Sequence, residues 1–172
     1  ASAHYFTDDD SITLSVPECN IAYSCGDRLW NNVAQTGGGK YHGRVTNSNS
    51  INIEMCDTVR DGKYNLSAQT RKNTIDLIVM LMAKYRIDID HVVRHFDVSG
   101  KSCPSYFVDE KEWKKFKEEI TMTFGEYCLN AINEYLQSHY LVVLAVLFLC
   151  HAINHCHCLL AGLVHHYVPE GT

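Results

Sequence analysis

The sequence lacks a surplus of positive charge. Its 172 residues include 15 Lys and Arg against 20 Asp and Glu, which gives a formal net charge of −5. Proteins that bind nucleic acid through a basic surface need clustered Lys and Arg to neutralise phosphates. The composition therefore argues against nucleic acid as a partner. The length is sufficient for one domain of ordinary size with a hydrophobic core.

Charged residues are also missing from one long stretch near the C-terminus. Residues 135 to 168 contain no Asp, Glu, Lys or Arg, whereas residues 1 to 120 are charged throughout. This change predicts two segments, residues 1 to 120 and an apolar helical tail at residues 121 to 172. Within the tail, residues 141 to 164 are long enough to cross a bilayer as one helix. Asn154 and the neighbouring histidines weaken that prediction, because polar groups are costly in lipid.

The spacing of the cysteines is not that of a small disulfide scaffold. We predict that most of them are free thiols, because a chain of this length can form a core without disulfide bonds. The chain begins "ASAHYFTDDD", with no initiator Met and no charged-then-apolar leader, so we expect a fragment without a signal peptide. The eight cysteines are Cys19, Cys25, Cys56 and Cys103 in the first segment and Cys128, Cys150, Cys156 and Cys158 in the tail.

Short strands and longer helices follow one another along the first segment. The patterns predict strands at residues 4 to 7, 12 to 16, 50 to 56 and 91 to 93. They predict helices at residues 67 to 85, with Ser67 as N-cap, and at residues 109 to 120. A long polar loop at residues 26 to 50 is of the kind that is usually functional or mobile. This order favours an α/β or α+β domain with a central sheet.

A histidine and a cysteine stand eight positions apart in "HVVRHFDVSGKSCP", residues 91 to 104. His95 and Cys103 can reach one tetrahedral zinc ion if the loop between them folds back. Gly100 permits such a turn, and Pro104 prevents the chain from continuing as a helix. The alternative is a surface histidine and a buried cysteine that share no metal.

Two further residues are candidates for catalysis. Lys101 is placed to stabilise an oxyanion beside such a metal, and the alternative is a solvated lysine in a loop. Glu54 lies on the polar face of an alternating strand, where a carboxylate can act as general base for a metal-bound water. The alternative for Glu54 is an edge-strand carboxylate that faces solvent.

Four motifs occur together between residues 1 and 120. They read "SAHYFTDDDSI" (2–12), "VPECNIAYSCG" (16–26), "NSNSINIEMC" (47–56) and "VVRHFDVSGKSCP" (92–104). In these motifs and in their order, the sequence resembles the zinc-dependent N-acetylmuramoyl-L-alanine amidases. That family includes phage amidase-type lysozymes, bacterial autolysins and the animal peptidoglycan recognition proteins.

The resemblance implies a mixed central sheet flanked by helices, with Zn2+ in a groove that accepts peptidoglycan. It implies cleavage of the amide bond between N-acetylmuramic acid and the L-alanine of the stem peptide. His95 and Cys103 match two zinc ligands of the family. Glu54 matches the residue that activates the zinc-bound water, and Lys101 matches the lysine that stabilises the tetrahedral intermediate. The resemblance also implies action at the cell wall, as an extracellular enzyme or a phage-encoded lysin.

The sequence departs from the family pattern at the third zinc ligand. The family's first ligand is a histidine on a strand that precedes the "SAHYF" motif, so we expect this chain to lack the first strand and helix. His4, or the pair His151 and His155 at i and i+4, are alternative sources of that ligand. A non-catalytic peptidoglycan-binding module and a membrane-associated vestigial amidase remain alternatives to an enzyme.

The candidate substrate contacts are Tyr23, Ser24 and Asn49. In "IAYSCG", Ser24 replaces a histidine that faces the substrate groove in many relatives, while Tyr23 preserves an aromatic residue. Asn52 stands where a glycine is common. The tail matches no part of the family, and three interpretations stay open for it. It is a membrane segment, an apolar helix that packs over the first segment, or non-native sequence from an altered reading frame.

Overall fold

The computed structural model describes the backbone of residues 1 to 60 and 63 to 164, and the side chains of residues 1 to 57, 64 to 142 and 144 to 149. Two compact units are present, Ala1–Gly125 and Glu126–Thr172. The strands are β1 (Tyr5–Thr7), β2 (Ile12–Leu14), β3 (Ile53–Met55), β4 (Thr58–Arg60) and β5 (Lys63–Asn65). The helices are α1 (Val33–Thr36), α2 (Ala68–Tyr85), α3 (His95–Ser99) and α4 (Glu110–Val164), with 3₁₀ turns at Ile89–His91 and Ser105–Phe107.

A mixed sheet of three strands, in the order β2-β1-β3, organises the first unit. β1 runs antiparallel to β2, and it runs parallel to β3 with Phe6 opposite Glu54. The Asp8 carboxylate accepts hydrogen bonds from the backbone N–H groups of Asp10 and Ser11, which closes the acidic turn between β1 and β2. The mixed α+β fold predicted from the sequence is confirmed, and β3 lies at an edge of this sheet.

Helix α2 packs on the sheet with one side and forms the main core with another. Its first turn is capped as predicted, because the Ser67 hydroxyl accepts a hydrogen bond from the Thr70 N–H at 2.9 Å. Leu77 and Leu81 pack against Tyr5 of β1. The main core contains the buried residues Ile75, Ile78, Val79, Met82, Phe107, Trp113, Phe116 and Ile120.

The first turns of α4 complete this core. Trp113, Phe116 and Ile120 are buried on one side of the helix, as the helical spacing predicts. Phe116 stacks on Phe107 with 4.4 Å between ring centroids, so the 3₁₀ turn before α4 is packed onto the helix that follows it. This packing holds the segment between α3 and α4 in a fixed position beside the groove described below.

Two local predictions were wrong. The predicted strand at residues 91 to 93 is replaced by the 3₁₀ turn Ile89–His91, because the Asp88 carboxylate accepts hydrogen bonds from the N–H groups of Asp90 and His91. The strands predicted from the sequence also omit the antiparallel pair β4 and β5, which follows β3. The cysteines with described side chains are free, as predicted: Cys19, Cys25, Cys56, Cys103 and Cys128.

In the second unit, the structure describes the side chains of residues 126 to 142 and 144 to 149. Its large apolar side chains between Leu129 and Leu149 are exposed by 44 to 80%. By length and composition alone, Glu110–Leu149 is a helix apolar and long enough to cross a membrane.

Candidate active site

A buried arginine fixes the segment that carries His95. Arg94 is 3% exposed, and its guanidinium donates hydrogen bonds to Asp97 at 2.8 Å, Glu110 at 2.6 Å and the Phe107 carbonyl at 2.7 Å. Burial would raise the pKa of the Asp97 carboxyl, but the hydrogen bonds from Arg94 outweigh it and lower that pKa. The start of α3 is thus tied both to the core and to the start of α4.

The loop between His95 and Cys103 folds back, which is the condition under which the two side chains can share a metal ion. The Phe96 N–H donates a hydrogen bond to the Cys103 carbonyl at 2.9 Å, which joins the two ends of the motif. Gly100 ends α3 at φ +85°, and a Cβ there would lie 2.3 Å from Val33. Glycine is therefore required by both the backbone conformation and the close approach of the neighbouring loop.

Asp27 holds the imidazole of His95. One Asp27 carboxylate oxygen lies 2.7 Å from His95 Nε2, and the other accepts hydrogen bonds from Ser99 Oγ at 3.2 Å and Trp30 Nε1 at 3.3 Å. Burial would raise the pKa of Asp27, but the hydrogen bonds from His95 and Trp30 lower it overall. Sequence reasoning missed Asp27, because nothing in its spacing links the long polar loop to α3.

Glu54, His95, Lys101 and Cys103 line a single groove of about 960 Å³ beside β3. Glu54 is exposed on β3, Lys101 is exposed in the loop after α3, and His95 and Cys103 are half-buried. Burial raises the pKa of the Cys103 thiol, Glu54 raises it further, and Lys101 acts in the opposite direction. The Cys103 thiol is therefore within electrostatic reach of the Glu54 carboxylate and the Lys101 ammonium.

Tyr106 is a groove residue that the sequence did not reveal. Its pKa is raised to about 12, first by burial and then by the charges of Asp57, Cys103 and Glu54. A phenol is already protonated at neutral pH, and the raised pKa keeps that of Tyr106 protonated at alkaline pH as well. It follows Cys103 by three residues, but its position depends on the 3₁₀ turn at Ser105–Phe107, for which the sequence carries no clear signal.

Only two of the three predicted substrate contacts lie at the groove. Ser24 and Asn49 line the groove, whereas Tyr23, which is 64% exposed, is not among its lining residues. The Asn49 amide is already engaged within its loop, since it accepts from the Thr46 N–H at 2.7 Å and donates to the Arg44 carbonyl at 2.9 Å. Asn49 therefore shapes the groove wall through its loop.

The residues with described side chains do not complete a zinc site. Among them, no group of three His, Cys, Asp or Glu side chains is arranged to hold a metal ion. His4 is unsuitable as a third ligand, because its Nδ1 accepts the Asn52 N–H at 3.0 Å and its Nε2 lies 3.1 Å from the Asn20 carbonyl. His151 and His155 lie outside the described side chains. A catalytic zinc needs three protein ligands, so His95 and Cys103 alone leave the site incomplete.

The family model for N-acetylmuramoyl-L-alanine amidase matches residues 1 to 106. The chain belongs to the N-acetylmuramoyl-L-alanine amidase family. The matched residues include the whole "HVVRHFDVSGKSCP" motif and every predicted catalytic and ligand residue of the first unit. The family membership predicted from the four motifs is confirmed.

Curated amidases from two Bacillus species are similar to this amidase-family chain. It is 30% identical over 126 residues to the N-acetylmuramoyl-L-alanine amidase CwlL of Bacillus licheniformis, covering 73% of this chain and 32% of the relative. It is 33% identical over 127 residues to the amidase BlyA of Bacillus subtilis strain 168, covering 70% and 33%. The chain thus spans about a third of the length of these curated relatives.

Solved structures support the same fold. A mutant form of PlyL superposes with a TM-score of 0.52 at 27% identity, covering 70% of this chain and 66% of that one. The catalytic domain of XlyA superposes with a TM-score of 0.50 at 29% identity, covering 69% and 65%.

Proposed function

We propose that the chain binds peptidoglycan in the groove beside β3 and hydrolyses the amide bond between N-acetylmuramic acid and L-alanine. The observation that carries this proposal is that Glu54, His95, Lys101 and Cys103 line one groove within the family-matched segment. The printed names of the relatives, which are amidases, support the reaction class. The place of action that follows is the cell wall.

Glu54 and Lys101 are the two residues to which we assign steps of the hydrolysis. The Glu54 carboxylate would take a proton from the water that attacks the amide carbonyl. The carbonyl oxygen then gains negative charge, which the Lys101 ammonium would stabilise. As this intermediate collapses, the C–N bond would break and the leaving L-alanine nitrogen would take the proton held by Glu54. Both groups are exposed to the groove, so a bound stem peptide can reach them.

Zinc is the cofactor that the resemblance implies, and His95 and Cys103 are the residues that would hold it. Their nitrogen and sulfur donors are of the kind that zinc prefers. The described residues offer no third ligand in reach, so we assign no step of the hydrolysis to a metal. Zinc binding is instead a property to be measured separately from turnover.

The test is the release of muropeptides from purified cell walls, with and without added zinc. We expect Glu54→Gln to reduce the rate by about 10²- to 10⁴-fold, the range typical of a lost general base. Glu112→Gln, which changes an exposed glutamate on α4, is the matched control and should leave the rate unchanged. Release that is equally fast in the wild type and Glu54→Gln would overturn the assignment of Glu54.

A second candidate function is a peptidoglycan-binding module without catalysis. The specific observation in its favour is that Asp27 engages Nε2 of His95, one of the two residues that would hold zinc. This alternative predicts that muropeptides bind without turnover and that the purified chain holds no stoichiometric zinc. Elemental analysis of the purified chain, combined with the wall assay, separates the two functions.

A further inference from the structure

We propose that residues 141 to 164 of α4 cross a lipid bilayer as a single helix, which makes the chain an integral membrane protein. This inference concerns the second unit and does not depend on the proposed amidase function. It commits to the bilayer, rather than to another protein, as the surroundings of this part of α4. Three features of the segment carry it.

The first feature is the length of the segment without formal charge. At about 1.5 Å per residue, residues 141 to 164 of a helix extend over roughly 36 Å, slightly more than the ~30 Å hydrocarbon core of a bilayer. Tyr140 immediately precedes the segment and Tyr167 follows it shortly afterwards in the sequence. Tyrosine is enriched at both membrane–water interfaces, so its presence at both ends matches the boundaries of a span.

The second feature is that the described apolar side chains at the start of the segment are exposed all round the helix. Successive residues of a helix are about 100° apart, so a run of consecutive apolar residues covers every side of it. A helix that docks on one protein surface needs only one apolar stripe, whereas lipid surrounds a helix on all sides. The exposed residues are Leu141, Val142, Leu144, Val146, Leu147, Phe148 and Leu149, each between 44 and 80% exposed.

The third feature is how the polar residues are distributed along the rest of the segment. His151, Asn154 and His155 recur at i, i+3 and i+4, the spacing of residues on one side of a helix, and His157 falls at the edge of that side. Ile153 and Leu160 fall on the other side by the same spacing. Polar residues within membrane helices are grouped in this way, because they face another helix or a water-filled space instead of lipid. The polar residues are therefore consistent with a span.

The first test is flotation of the full chain with vesicles of phosphatidylcholine and phosphatidylglycerol after a sodium carbonate wash at high pH. We expect the wild type to stay with the vesicles. Ile153→Arg, near the middle of the segment, should reduce the retained fraction at least tenfold, because an arginine at the bilayer centre opposes insertion. Met122→Arg is the matched control, since Met122 is 70% exposed on α4 before the segment, and it should float like the wild type. Extraction of the wild type by carbonate would overturn the proposal.

The second test uses the native cysteines and needs no variant. In the same vesicles, Cys150, Cys156 and Cys158 should resist a membrane-impermeant maleimide, whereas all three should react after unfolding in detergent. A helix that lies in the interface would leave Cys150 and Cys158 reactive, because by register they share the polar side with Asn154. Peptide mapping by mass spectrometry distinguishes these patterns. Reaction of Cys150 and Cys158 in intact vesicles would contradict a spanning helix.

Discussion

Glu18 accepts hydrogen bonds from three side chains, those of Lys84, Tyr5 and Tyr85. The hydrogen bond from Lys84 is the largest cause that lowers the pKa of Glu18 to about 2, followed by those from the two tyrosines. The cluster joins the loop after β2 to β1 and to the end of α2. Its contribution to folding depends on Glu18 being ionised.

The lowered pKa of Glu18 determines how the free energy of unfolding changes with pH. A glutamate in an unfolded chain titrates at pH ~4.3. The stability that Glu18 contributes is therefore present above about pH 5 and is lost as the pH falls towards 2. We expect Glu18→Gln to lower the free energy of unfolding at pH 7 and to flatten its decline between pH 5 and 2. Urea unfolding at several pH values measures both quantities. An unchanged decline in Glu18→Gln would show that the cluster does not stabilise the fold.

Asp27→Asn tests whether Asp27 positions His95. The amide keeps the shape of the carboxylate but loses its charge, so the hydrogen bonds with His95 and Ser99 weaken. We expect the free energy of unfolding to fall by about 1–2 kcal/mol, as for other hydrogen bonds to charged groups. A double-mutant cycle with His95→Ala isolates the pair, and Asp10→Asn in the exposed acidic turn is the control. A coupling energy near zero would contradict the assigned role.

The residues of the candidate site were predictable only where a motif carried them. Glu54, His95, Lys101 and Cys103 were found through their motifs, and the groove contains all four. Asp27 was not predictable, because its contact with His95 joins residues far apart in the sequence through an irregular loop. Contacts of this kind are set by tertiary folding and leave no periodic trace in the sequence.

At the scale of elements, Arg94 joins the start of α3 to Glu110 at the start of α4. Arg94 and Asp97 also form an ion pair at α3. Both side chains are almost fully buried, at 2% and 4% exposure. Removing one partner leaves an uncompensated buried charge, so we expect Arg94→Met to lower the free energy of unfolding by about 3–5 kcal/mol. Chemical denaturation of the full chain measures the loss.

A matched control comes from an exposed ion pair on α2. Lys72 and Asp76 lie one turn apart at 65% and 42% exposure, so Lys72→Met should cost at most about 0.5 kcal/mol. The double variant Arg94→Met with Asp97→Leu should recover part of the stability lost in Arg94→Met. Equal losses in Arg94→Met and Lys72→Met would contradict the role of the buried pair.

Elements with a strong periodic pattern were predicted well from the sequence. The helix at α2 begins at the predicted N-cap and ends at Tyr85, and the alternation at residues 50 to 56 predicted β3. The prediction of a strand at residues 91 to 93 was wrong, because a run of three residues is too short to show a periodicity. There the Asp88 side chain decides the local conformation through hydrogen bonds with the backbone.

At the scale of the whole molecule, the two units have different chemistry. The first unit carries the family match and the groove, whereas the second is a helix with apolar, exposed side chains. Charged residues are absent from residues 135 to 168, all of which lie in the second unit. What surrounds the second unit could not be predicted from composition alone, since length and apolarity suit both a membrane span and a packed helix.

The most direct test of the central claim is a titration of the isotope-labelled full chain with a muramyl-L-alanyl peptide, followed by NMR. We expect the amide signals of β3 and of residues 95 to 103 to shift together and saturate. Signals around Lys114 and Glu118, which are 80% and 62% exposed on α4, serve as the internal reference and should stay unchanged. Shifts confined to that reference surface, or no saturable shift in the groove, would contradict the binding of peptidoglycan beside β3.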